Sequence, residues 1–100
     1  MNDEVDNEVN YDVRVKVSKD VDELMQNDAS FEDIIDYYDN AIKKMPDNTE
    51  VLYQKSAFLW DQSKWNDSIM VLNKLLEIEP NHEGALILKN DCLSQIENDE

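Results

Sequence analysis

The chain has 100 residues, 24 of them acidic and 9 basic, for a formal net charge of −15. That length predicts one domain, and that charge repels phosphate backbones and anionic bilayers, so neither nucleic acid nor a membrane is an expected partner. One glycine and two prolines leave too little turn punctuation for an all-β fold.

Residues 1–12 are acidic and nearly free of apolar side chains, which predicts disorder. Tyr11, Val13, Val15 and Val17 then alternate with Asp12, Arg14 and Lys16, a period-two pattern typical of extended chain. Residues 1–17 are therefore expected to form a disordered or extended acidic tail. From Ser18 the period changes. Val17, Val21, Leu24 and Met25 fall at helical spacing and predict a short first helix over roughly 19–27. Ser30, with Asp33 three residues on, resembles a capping box ahead of a second helix over roughly 31–44. That helix carries Phe31, Ile34, Ile35, Tyr38, Ala41 and Ile42 on its apolar stripe, and Pro46 stops it.

Asn48 is the predicted cap of a third helix, roughly 49–62, with Val51, Leu52, Phe58 and Leu59 on one side. Ser63 is the predicted cap of a fourth, roughly 65–78, with Trp65, Ile69, Leu72, Leu75 and Leu76 inward and Pro80 at its end. Asn81 is the predicted cap of a fifth, roughly 82–97, with Ala85, Leu86, Leu88, Cys92, Leu93 and Ile96 on its apolar arc. Residues 98–100 read as a disordered end.

Pro46 and Pro80 lie 34 residues apart, and the apolar framework recurs at that interval. Phe31 meets Trp65, Ile35 meets Ile69, Tyr38 meets Leu72, Leu52 meets Leu86, Lys55 meets Lys89 and Leu59 meets Leu93. Such a helix-turn-helix period resembles the tetratricopeptide repeat family. Residues 49–82 match its pattern as one full repeat, with Leu52, Ser56, Leu59, Ser68, Leu72 and Pro80 in the family's positions. Residues 15–48 make a weaker repeat, in which Asp22 and Ile34 stand where small residues are usual. Residues 83–97 supply a first helix only. The resemblance implies a short all-α solenoid of antiparallel helix pairs over 18–97, with about two and a half repeats. Lys55 and Lys89 stand where the family usually has Leu. Either their stems pack along the core with the ammonium at the edge, or each pairs with a carboxylate across helices.

No catalytic constellation emerges. His82, the one histidine, sits at a helix start without converging ligands, so it reads as a surface residue and no metal site is expected. Cys92 falls on an apolar arc and reads as a small core residue rather than a nucleophile. As the single cysteine it cannot form an internal disulfide. The start, Met1-Asn2-Asp3-Glu4, lacks the character of a secretory leader, so a cytoplasmic location is expected. The acidic clusters lack calcium-loop spacing, and one glycine cannot build a phosphate loop, so neither cofactor nor enzymatic activity is expected.

The family resemblance implies that the first helix of each repeat lines a concave groove holding a peptide or helix of a partner protein. Its expected lining is Glu50, Tyr53, Ala57, Trp60 and Asp61, with Gly84, Ile87, Leu88, Asp91 and Gln95 from the fifth helix and Lys16, Lys19, Glu23 and Gln26 from the first. Of these, Glu50, Tyr53, Ala57, Trp60, Asp61, Ile87 and Asp91 are the candidate binding residues. Tyr53, Ala57 and Trp60 also fall opposite the Leu52–Leu59 stripe on the helical wheel. Aromatics there mark either a recognition surface or packing against neighbouring helices. Only Lys19 matches the cationic set with which some family members grip a terminal carboxylate. The aromatic and acidic lining instead suits a basic or amphipathic segment. The alternative expectation is a homodimer formed through Ile87 and the last helix.

Overall fold

The computed structural model describes the backbone of residues 2–98 and the side chains of residues 13–98. The expected disorder over 1–12 falls on side chains outside that range, and the disorder expected over 98–100 lies, but for Asn98, outside the described residues. Among the described residues the fold is all-α, with five helices and no strand: α1 (Asn2–Gln26), α2 (Phe31–Lys44), α3 (Thr49–Asp61), α4 (Trp65–Ile78) and α5 (Glu83–Asn98). They gather into two compact units, Met1–Pro46 and Asp47–Glu100. The boundary between them falls inside the span 18–97 read as one helical domain, just after Pro46 ends the α2 segment.

The period-two reading of the first unit fails at the valines. Val13, Val15 and Val17 lie inside α1, not in extended chain. A strand would turn all three to one face, yet Val17 is buried while Val15 is 46% exposed. The effective stripe is Val17 and Val21, one helical turn apart and both buried, as are Ile34 and Tyr38 of α2. Across α1 and α2 the Tyr37 hydroxyl donates to the Asp20 carboxylate at 2.6 Å, and the same carboxylate pairs with Lys16 at 3.1 Å. Helix α2 begins at the expected capping box: the Asp33 N–H donates to Ser30 Oγ, and the Asp33 carboxylate accepts from the Ser30 N–H. Glu32 and Asp33 in its first turn and Lys43 and Lys44 in its last oppose the helix dipole.

In the second unit the tie points give the directions. Thr49 donates to Glu79 at 2.8 Å and Ser68 Oγ donates to the Ser56 carbonyl at 2.8 Å, so the start of α3 meets the end of α4 and the pair is antiparallel. Tyr53 meets Gly84 and Trp60 meets Asp91, so α5 runs parallel to α3. The core comprises Val51, Leu52, Phe58, Leu59, Leu72, Leu75, Ala85 and Cys92, with Ser56 and Ser68 fully buried where α3 and α4 cross. Lys55 and Lys89 are half-buried. Leu86 and Leu93, expected inward, are 43% and 44% exposed.

Two predicted caps are corrected. Ser63 does not cap α4: its φ of 61° is left-handed, and it terminates α3, with Ser63 N–H donating to the Trp60 carbonyl and Lys64 N–H to that of Leu59. The same motif ends α1 at Asp28, φ 60°. The α3–α4 connection is one residue shorter than the α1–α2 connection, so Lys64 occupies the cap position and makes no side-chain cap bond. At α5 the cap is His82 rather than Asn81, because His82 Nδ1 accepts the Ala85 N–H at 3.0 Å.

Candidate functional site

On the side of α3 away from Leu52 and Leu59, the chain leaves a shallow pocket of about 320 Å³. Helix α3 contributes Tyr53 and Trp60, two turns apart on one face, and α5 contributes Gly84, Ile87, Leu88 and Asp91. Four of the seven candidate residues, Tyr53, Trp60, Ile87 and Asp91, are thus brought together. Glu50, Ala57 and Asp61 belong to α3 but do not line the pocket.

Each wall is fixed by a specific contact. The Trp60 indole N–H donates to the Asp91 carboxylate, holding an exposed aromatic ring and an anionic group side by side. The Tyr53 ring lies on α5 at Gly84, where an added Cβ would sit 3.1 Å from the phenolic oxygen. A glycine at this point lets the ring rest against the helix backbone. Behind it, His82 faces Tyr53 at 5.2 Å between ring centroids and 31° between planes. His82 therefore has two local roles, capping α5 and backing Tyr53. The contact with Tyr53 was not legible in a lone histidine, because it depends on a partner from elsewhere in the unit, whereas the cap closes locally on Ala85, three residues on. Ile87 is 65% exposed beside the pocket, an apolar side chain presented to solvent.

In the first unit, Lys19, Glu23 and Gln26 share a broad depression of about 530 Å³ along α1 with Arg14 and Asp22. Lys16, expected with them, is instead engaged by Asp20. Lys19 and Arg14 stand beside Asp22 and Glu23, so this surface mixes both signs of charge.

Cys92 is fully buried. Burial pushes its thiol above the ordinary value, against a hydrogen bond with Ser68 that pulls it down and with the Asp91 charge adding to the rise. A buried thiol held in its neutral form packs as a small core side chain. Among the described residues no three His, Cys, Asp or Glu side chains come together as metal ligands, and no helix is long and apolar enough to cross a membrane. Comparison with known protein families, with curated proteins and with solved structures finds no match for this chain.

Proposed function

We propose that the second unit is a non-catalytic protein-interaction module of tetratricopeptide-like design, acting in the cytoplasm, whose α3–α5 groove takes a basic or amphipathic segment of a partner protein. The observation that carries this reading is the Trp60–Asp91 hydrogen bond, which positions an aromatic face and a carboxylate together at an open surface. A cationic side chain gains from both, through the ring face and the charge, while Ile87 and Leu88 offer apolar contact for its neighbours. The chain's charge of −15 adds long-range attraction for such a segment.

A random-peptide display selection against the immobilised chain tests this. The enriched peptides should be basic, and Trp60→Ala should weaken them at least about tenfold with the helical content unchanged. Peptides without basic character, or binding indifferent to Trp60, would overturn the reading.

The exposure of Ile87 favours one second reading, a homodimer through the same surface. Light scattering over a concentration series separates the two. A mass near 11.7 kDa supports the module, whereas a doubled mass that Ile87→Glu halves supports the dimer.

A further inference from the structure

The 34-residue interval places Leu86, Asn90 and Leu93 of α5 where α3 carries Leu52, Ser56 and Leu59. On α3 this is the face that α4 covers. Leu52 and Leu59 are 1% and 3% exposed there, and Ser56 between them receives the Ser68 hydroxyl of α4 on its carbonyl. On α5 the same face is open, with Leu86 and Leu93 nearly half exposed and Asn90 exposed. At ~100° per residue, Leu86 and Leu93 lie ~140° or more around α5 from Gly84, Leu88 and Asp91, with buried Ala85 and Cys92 between them and Leu88, while Ile87 borders both the seam and the groove.

We propose that this face of α5 docks an amphipathic helix of a partner protein, one with α4-like apolar spacing and cationic residues along its edges. The molecule itself supplies the template. Helix α4, which covers the equivalent face, carries Trp65, Ile69, Leu72, Leu75 and Leu76 on its apolar stripe, of which Leu72 and Leu75 are fully buried, and puts small Ser68 at the crossing. Asn90 stands at that crossing on α5. The docking helix therefore needs a small residue opposite it and gains an amide to hydrogen-bond. Charge selects the flanks. Glu83, three residues before Leu86, and Glu97, four after Leu93, are exposed at the ends of the seam, while Lys89 is half-buried on its core side. Exposed carboxylates on a chain of net charge −15 favour a cationic helix and oppose a second copy of the same acidic chain.

The test uses a fluorescein-labelled synthetic peptide of residues 64–79, in which Asp67→Lys and Glu77→Lys put cations on the exposed side of the α4 sequence. It is titrated with the full chain by fluorescence anisotropy. Saturable binding is expected, weakened at least about tenfold by Leu86→Asp with Leu93→Asp and unchanged by Trp60→Ala. The milder pair Leu86→Ala and Leu93→Ala, on an already exposed face, should weaken binding with the thermal melt preserved, so a folding defect in the aspartate variant does not decide the matter. Absence of saturable binding would overturn the proposal, as would binding indifferent to both leucine pairs, which marks exchange with the chain's own α4. Dependence on Trp60 would assign the peptide to the groove instead. A doubled molar mass abolished by the leucine variants would assign the face to a second copy.

Discussion

Helices α1 and α2 and helices α3 and α4 follow one 34-residue pattern, yet the two pairs are held together differently. Where α3 crosses α4, Ser56 and Ser68 are both fully buried, and the backbones approach closely enough for one serine hydroxyl to reach the other's carbonyl. The corresponding residues of the first pair are Asp22, exposed, and Ile34, buried. A carboxylate and a branched side chain do not permit that approach, and the first pair is tied through the Tyr37–Asp20 hydrogen bond instead. A shared apolar stripe therefore does not fix how two helices meet; the size and polarity of the residues at the crossing do.

Exchanging the crossing residues should give the largest effect. Ser56→Asp buries an unpaired charge and should cost about 3–5 kcal/mol, read as a lower denaturant midpoint. Its mirror image, Asp22→Ser, should change stability by no more than about 0.5 kcal/mol. Equal losses in the two variants would erase the distinction between the pairs.

Alkaline pH should discriminate next. Burial pushes the Tyr38 phenol from its ordinary 10.0 up to about 12, with the Asp22 charge adding to the rise. Tyr37 is raised as well, by burial and then by its bond to Asp20. A folded value above the unfolded one means stability that is fully present below about pH 10 and declines as pH rises through about 12. Leu72 occupies the Tyr38 position in the second pair and has nothing to titrate. Circular-dichroism melts across that window should fall more steeply for the wild type than for Tyr38→Phe; identical slopes would remove Tyr38 from the account.

A more modest loss than that of Ser56→Asp should come from Tyr37→Phe, about 0.5–1.5 kcal/mol for one hydrogen bond at a partly exposed site. The Tyr37 bond, then the Lys16 bond, holds the Asp20 carboxyl below its ordinary 3.8. That contribution is present above pH 3.8 and lost as pH falls through the lower folded value. In Tyr37→Phe an NMR titration should find Asp20 ionising closer to 3.8. An unmoved Asp20 would mean that Lys16 alone sets it.

How much was legible follows from how local each signal is. The spans of α2 and α4 agree with their apolar stripes residue for residue, and the Ser30–Asp33 box and the Asn48 cap formed as read, because such bonds close within one turn. The period-two reading of Val13, Val15 and Val17 failed because three β-branched residues fit either period over so short a stretch. The helical wheel put Tyr53 and Trp60 on one side of α3, and the family resemblance implied Ile87 and Asp91 beside them. The Trp60–Asp91 bond and the backing of Tyr53 by His82 were not legible, since each joins residues far apart in sequence.

The sequence by itself determined the all-α class, the helix boundaries from α2 onward to within a residue, and the 34-residue interval, because caps, prolines and apolar spacing act within a turn or two of the chain. Only the tertiary structure decided which stripes are covered. Leu52 and Leu86 carry the same signal in the chain, but α4 lies over the first and leaves the second open. Burial depends on the helix that packs against a residue, and a stripe records the capacity to be covered, not the presence of the cover.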